Sequence, residues 1–400
     1  MRESFSCRQL LRYIFVIAIF LQVTSVLSSQ SFVPGESYYG RNNYIQYDAG
    51  NLPIIISAPH GGALTPGEIP DRTCGDETVT DSYTSQLALE IAQSIKEITG
   101  CNAHVILCHL KRTKLDANRE IEIAACGNEY AEIAWNEYHK YIDSAKAIIT
   151  RTTGKGLFID LHGHGHSIQR LELGYLLSAT QLRYSDATLN TAIYKNISSI
   201  RNLIYSNIGG QTHSVLLRGS QSLGSLFSAS GYPSVPSTDD PYPQVGDTYF
   251  SGGYNTERHG SRDMGFIDGI QVECNQDVRF TIAARQAFAN QFGAVLLAYL
   301  DNHYFSEQSL YYCNSTNIES EHTDRYLLYP NPVQDRLFFH NAKETDMILY
   351  DINGRIVISK RLEEISEVSL DNLHDGLYLV ILRSQGKVVL AEKLIKMAGR

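Results

Sequence analysis

In Phe158-Ile159-Asp160-Leu161-His162-Gly163-His164-Gly165-His166 an apolar, β-favouring run reaches an aspartate, and three histidines then alternate with glycines. Continuous apolar runs mark strands buried on both faces, and open α/β sheets bind ligands beyond the carboxyl ends of such strands. Glycine permits close backbone approach, and neutral imidazole is a favoured zinc ligand. The stretch reads as a strand that delivers a metal-ligating histidine at its end. The bland alternative is a solvated His-Gly loop.

Segments on either side repeat the design. Leu52-Pro53-Ile54-Ile55-Ile56-Ser57-Ala58 is a buried strand stopped by Pro59-His60-Gly61-Gly62. A helix is expected from Thr80 or Asp81, either of which can cap it, with the apolar stripe Tyr83, Leu87, Ile91, Ile95 and Ile98 before Gly100. His104–Leu107 and Leu173–Leu177 read as strands, and Ala131–Ile149 and Leu189–Ile204 as helices. Ser206–Met264 is rich in glycine, serine, proline and tyrosine, and irregular chain of that length usually binds something. The strand Gly269–Glu273 and a helix over Thr281–Leu300 close the unit. Strands alternating with helices predict an α/β fold, a mainly parallel sheet with helices on both faces.

The ends differ from this body. Arg2, Arg8 and Arg12 precede an apolar run from Tyr13 to Val26 and then Leu27-Ser28-Ser29, the order of a secretory signal peptide over residues 1–28. The run is shorter than the roughly 20 residues that span a bilayer, so no retained transmembrane helix is expected. Residues 30–50 are polar and read as an entry segment. Removing the leader takes away a net +2 from the chain's −9 and leaves −11. No basic stripe for nucleic acid is present. Six cysteines remain, Cys74, Cys101, Cys108, Cys126, Cys274 and Cys313, read as structural with the pairing left open. After the body (30–304), a polar stretch over 305–325 reads as a linker. Residues 326–400 hold short alternating strands, with Asn353-Gly354 as a hairpin signal, and read as a small C-terminal β-sandwich.

Four segments gather polar groups where chemistry could occur: Pro59-His60-Gly61-Gly62, Asp76-Glu77-Thr78-Val79-Thr80-Asp81, Asp160-Leu161-His162 and Gln271-Val272-Glu273. Two histidines and a carboxylate, with a further carboxylate as base, are a usual set at a catalytic zinc. Between them lies Lys111-Arg112-Thr113-Lys114-Leu115-Asp116-Ala117-Asn118-Arg119, whose arginine forks suit a carboxylate. Gly219-Ser220-Gln221-Ser222-Leu223-Gly224 misses the spacing of a nucleophilic serine elbow.

Ser57-Ala58-Pro59-His60-Gly61-Gly62, Thr80-Asp81, Leu115-Asp116-Ala117-Asn118-Arg119, Asp160-Leu161-His162 and Gln271-Val272-Glu273 resemble the successive motifs of the N-formylglutamate amidohydrolase family, similar in fold to zinc carboxypeptidases and aspartoacylase. The resemblance covers about residues 45–303. It implies a Zn2+-dependent amidohydrolase, with His60, Asp81 and His162 as ligands and Glu273 as the base. Asp76 and Glu77 compete with Asp81 for the acidic position, because Ala63 stands where carboxypeptidase-like chains place their acid. It also implies that Arg119 with Asn118 grips a substrate carboxylate and that Arg112 polarises the scissile carbonyl or supports that grip. Tyr254, Arg258 and His259 in the long loop are expected to cover the pocket. His164 and His166 fall outside the shared pattern and are expected to shape it, with Asp160 orienting a ligand histidine. The expected substrate is a small N-acyl or N-formyl amino acid or a short peptide. A non-catalytic surface protein that binds metal or glycan is the alternative.

The tail carries a second resemblance. Tyr329-Pro330-Asn331-Pro332-Val333, Leu349-Tyr350-Asp351-Ile352-Asn353-Gly354-Arg355, Leu373-His374-Asp375-Gly376-Leu377-Tyr378 and Lys393-Leu394-Ile395-Lys396 resemble the sorting domain of type IX secretion. That implies the type IX machinery as a partner and a secreted or outer-membrane-surface location in a Gram-negative bacterium.

Overall fold

The computed structural model describes residues 32–75, 77–306, 313, 327–329, 333–340, 344–351, 355–363, 365–384 and 387–397. The expected leader, Asp76 and the Asn353-Gly354 turn lie outside these residues. The chain divides into two compact units, residues 1–315 and 316–400.

In the first unit, eight strands are β1 (Ser37–Tyr39), β2 (Ile45–Asp48), β3 (Ile54–Ala58), β4 (His104–Cys108), β5 (Gly156–Gly163), β6 (Leu171–Gly174), β7 (Ser234–Val235) and β8 (Ile267–Cys274). They form one mixed sheet in the order β1-β2-β4-β3-β5-β8-β6-β7. The central four, β4, β3, β5 and β8, are parallel, whereas β2 and β6 join their edges antiparallel. The principal helices are α1 (Thr84–Thr99), α2 (Glu129–Thr152), α3 (Tyr254–His259) and α4 (Ile282–His303).

Strand β5 shows why helices cover both faces. Leu157, Ile159 and Leu161 enter a core with Leu87, Ile91 and Phe292 of α1 and α4. Phe158 enters the opposite core with Trp135, Tyr138 and Ile142 of α2. Successive side chains of a strand point to opposite faces, so a strand apolar at every position must be covered twice. The two-residue period also puts Asp160 and His162 on one face, at the end where the apolar run stops.

Several expectations need correction. The polar entry segment contributes β1 and β2, which extend the sheet: Ile45 and Tyr47 are fully buried while the residues between them are not. Helix α1 starts at Thr84 rather than Thr80 or Asp81, after Tyr83 in a left-handed conformation (φ 70°). Neither residue caps it, because the carboxylate of Asp81 is turned to the site. The helix expected over Leu189–Ile204 is broken into short turns, Ala192–Ile197 and Arg201–Ser206, separated by buried Ser198 and Ser199. The glycine- and serine-rich stretch is ordered by Arg170, which pairs with Asp240 at 2.7 Å and Asp247 at 3.1 Å.

Disulfides join Cys74 to Cys126 and Cys101 to Cys313. Cys108 and Cys274 are buried free thiols. In the second unit, a three-stranded and a four-stranded antiparallel sheet enclose one core that includes Leu337, Phe339, Leu349, Val380 and Leu394. The strand Ile365–Ser369, not read from the sequence, pairs with Arg336–His340.

Candidate active site

The sheet register builds the site. Parallel pairing of β5 with β8 sets His162 beside Glu273, one strand spacing apart. His60 follows β3 after Pro59, and Gly62 lets the chain pass the loop after β4: a Cβ there would come within 2.3 Å of the His109 carbonyl carbon. Asp81 is anchored by its own backbone, whose N–H donates to the His60 carbonyl at 3.0 Å and whose carbonyl accepts from Thr84.

These three residues converge. Oδ2 of Asp81 lies 3.4 Å from Nδ1 of His60 and 3.1 Å from Nδ1 of His162. The ring of His60 is buried, and its Nδ1 has no hydrogen-bond partner among the described residues. Each histidine is held from behind by a buried carboxylate: Asp116 Oδ1 stands 2.7 Å from His60 Nε2, and Asp160 Oδ2 stands 3.0 Å from His162 Nε2. Asp160 in turn accepts from Ser57 Oγ at 2.9 Å, and Asp116 from Arg112 Nε at 2.9 Å and Asn118 N–H at 3.0 Å. With Nε2 fixed behind, both rings present Nδ1 to the same side.

The electrostatics suit a cation. Burial opposes charge on His162, yet Asp160 and Asp81 beside it hold its pKa well above the ordinary value. Burial likewise works against the charge on Asp81 and Asp116, but hydrogen bonds and charges from the histidines, with the arginines near Asp116, keep both carboxyls far below the usual range. Glu273 goes the other way. Burial, with the charges of Asp81, Glu172 and Asp160, outweighs His162 and pushes it up to about 8. Gln271, two residues earlier on the same face, donates from Nε2 to Glu273 Oε1 at 3.0 Å.

His60, Asp81, His162, Gln271 and Glu273 face a cavity of about 350 Å³, also lined by Glu77, Val79, Asn118, Arg119, His166, Phe250, Gly252 and Gly253. Arg119 makes no ion pair among the described residues, and its NH1 donates only to the neighbouring Asn118 carbonyl at 2.9 Å. Its charge is available to a ligand. Arg112 lines the same cavity, but its Nε is engaged by Asp116 and its NH1 reaches the Val79 carbonyl at 3.3 Å. Glu77 lies at the rim, its oxygen 3.9 Å from Arg112 rather than against the histidines. The arrangement can hold a divalent cation, place a proton-accepting carboxylate beside it, and receive an anion at Arg119.

Residues 327–397 match the family described as the secretion system C-terminal sorting domain. The last unit is a sorting domain. Among curated proteins, none matches the chain. Among solved structures, the N-formylglutamate amidohydrolase from Ralstonia eutropha is similar at 11% identity and a TM-score of 0.35, over 64% of this chain and 95% of that one. The succinylglutamate desuccinylase from Chromobacterium violaceum is similar at 11% identity and a TM-score of 0.29, over 69% of this chain and 71% of that one. PorZ, a surface component of the type IX secretion system of Porphyromonas gingivalis, shares 17% identity over 18% of this chain and 12% of its own, with a TM-score of 0.16. Likenesses at these scores bear no weight for activity. The sorting domain lies outside the unit that holds the site, so the chemistry is argued from the site's own residues.

The structure does not bring Tyr254, Arg258 and His259 to the cavity. His259 is fully buried, with Nε2 2.8 Å from His139 Nδ1 and Nδ1 3.3 Å from Asp143. The Arg258 guanidinium lies 5.1 Å over the Trp135 ring and its NH1 donates to the Tyr254 hydroxyl at 3.0 Å. Helix α3 turns these side chains back onto α2, and only its approach, Gly252–Gly253, faces the site. Asn118 does line the cavity, but its Oδ1 accepts from Asn255 N–H at 2.7 Å, which ties it to that approach. His164 is fixed by the backbone, Nε2 to the Arg170 carbonyl at 2.9 Å and Nδ1 accepting from His166 N–H at 3.1 Å.

Sequence reasoning missed Asp116, although the motif around it was legible. An aspartate two residues before Asn118 gives no sign of which histidine it will meet until the β4 loop folds across β3. It also missed Glu172 and Phe250, whose pairing depends on β6 reversing direction beside β8.

Proposed function

We propose that the first unit is a zinc-dependent hydrolase that cleaves the amide or formamide bond of a small carboxylate-bearing molecule, an N-acyl amino acid or a short peptide. We also propose that the sorting domain sends it through type IX secretion to the cell surface or beyond. One observation carries the reading: Asp81 Oδ2 stands 3.4 Å from His60 Nδ1 and 3.1 Å from His162 Nδ1, three buried donors within 4.8 Å of one another, beside a carboxyl that burial pushes up to about 8.

The donors fit zinc. Bonds of about 2.0–2.1 Å in tetrahedral geometry put neighbouring ligand atoms about 3.3 Å apart. An unpartnered buried imidazole nitrogen costs roughly 1–3 kcal/mol unless something satisfies it. His60, Asp81 and His162 would hold the ion. A divalent cation there supplies Lewis acidity, toward a water and toward a carbonyl oxygen.

The chain's own residues do the rest. Arg119 receives the substrate carboxylate and fixes the amide over the site. Arg112, engaged by Asp116, has its remaining guanidinium nitrogen for the carbonyl oxygen as negative charge develops there. Glu273 takes a proton from the attacking water and delivers it to the leaving nitrogen. The C–N bond breaks, a C–O bond forms, and the nitrogen departs as a neutral amine. A pKa raised by burial lets one carboxyl do both.

The experiment is turnover of a panel of N-acyl amino acids and dipeptides by full-length protein and its Glu273→Gln variant. The reading predicts turnover in the wild type and a loss of at least about 10²-fold in the variant. A wild type that binds metal and cleaves none of them would favour a non-catalytic metal-binding protein.

A further inference from the structure

The cavity has a wall that the proposed chemistry leaves unused. His166 lies on it, its Nδ1 2.8 Å from Glu172 Oε1. Glu172 is fully buried on β6, directly across from Glu273 on β8, and its other oxygen accepts from Phe250 N–H at 2.8 Å. A carboxylate only accepts, so Nδ1 of His166 carries the proton that Glu172 receives, and in the neutral ring Nε2 carries the lone pair. Among the described residues no group hydrogen-bonds that Nε2. The ring is also stacked on Phe250, with centroids 4.7 Å apart and planes at 25°, and Phe250 is 44% exposed. A fixed acceptor on a flat apolar backing is a built surface rather than a loop.

Its place in the sheet says which part of a substrate it meets. The ligand histidines sit at the ends of β3 and β5, Arg119 comes from the loop after β4, and Glu172 stands on β6 beyond β8. Arg119 and His166 both line the cavity that His60 and His162 face. A substrate whose carboxylate rests on Arg119 and whose amide lies over His60 and His162 has His166 on the cavity wall for its acyl half to reach. A formyl group has nothing to reach it with.

Resting on the hydrolase reading above, we propose that His166, held by Glu172 and backed by Phe250, is a specificity subsite for an aminoacyl group, whose nitrogen donates to His166 Nε2. The substrate class is thus a dipeptide or a longer peptide end with a free carboxylate, not a formyl amino acid. Glu172 acts through His166 and is a positioning residue.

The test compares an N-formyl amino acid with the glycyl dipeptide of the same amino acid, on full-length zinc-loaded protein. Expected is a kcat/KM at least tenfold higher for the dipeptide. His166→Ala should lower the dipeptide-to-formyl ratio at least tenfold, mainly through KM, with His166→Gln restoring part of it. Calorimetric binding of the dipeptide to Glu273→Gln should weaken tenfold when His166→Ala is added, a readout free of turnover. A wild type that favours the formyl substrate, or a His166→Ala that slows both alike, overturns the subsite and leaves the hydrolase reading intact. Failure to cleave either substrate overturns both.

Discussion

Asp116 places its Oδ1 2.7 Å from Nε2 of His60, so the His60 ring and the arginine-bearing loop after β4 are tied together. The same carboxylate accepts from Arg112 Nε and from Asn118 N–H. Such outer carboxylates fix the tautomer and orientation of the imidazole, and losing one typically costs 10–100-fold in metal affinity. Asp116→Asn should weaken zinc binding by about that factor with the fold retained, measured by competition with a calibrated chelator. Unchanged affinity would show that His60 is oriented by something else.

Among the described residues Arg119 has no acidic partner on the cavity wall, and a charge-assisted hydrogen bond is worth about 1.5–3 kcal/mol. Arg119→Ala should therefore raise KM for a carboxylate-bearing substrate roughly 10–100-fold. The amide of the same substrate should already be poor with the wild type and hardly worse with the variant. Equal losses on both would remove Arg119 from carboxylate recognition.

His104 links the core to pH. Its Nδ1 accepts from Gly50 N–H at 3.0 Å and lies 2.8 Å from the Tyr47 hydroxyl, and burial lowers its pKa from 6.5 to about 3. A backbone donor aimed at Nδ1 keeps that nitrogen unprotonated. Below about pH 6.5 the unfolded chain gains a proton that the folded chain refuses, so stability is lost as pH falls from there toward 3. Chemical denaturation at pH 7 and pH 5 should show His104→Gln losing up to about 2 kcal/mol less than wild type between the two. An identical loss in both proteins would assign the acid sensitivity elsewhere.

Much of the centre was legible because it lies where a pattern ends. The apolar run Phe158–Leu161 required a doubly covered strand, and a histidine after an aspartate at its end had to emerge at the sheet's edge. The same holds for His60 after Ile54–Ala58. What the sequence could not display was anything that depended on partners far along the chain. Asp81 could be read as a helix cap or as an acidic ligand, and its carboxylate is drawn to His162 and to Gly163 N–H at 3.2 Å. Tyr254, Arg258 and His259 looked like pocket residues, yet a short helix sets Tyr254 and His259 against His139 and leaves Arg258 exposed over the Trp135 ring. Glu172 stayed hidden because β6 runs antiparallel beside β8, a reversal that no local signal announces.

The central claim is that His60, Asp81 and His162 together hold one catalytic cation. Its most direct test is calorimetric titration of zinc into chelator-stripped full-length protein, beside His162→Ala and Asp81→Ala variants shown by circular dichroism to be folded. One tight ion per chain in the wild type, lost in both variants, is the predicted result. No tight site in the wild type, or the same binding in folded variants, would contradict it.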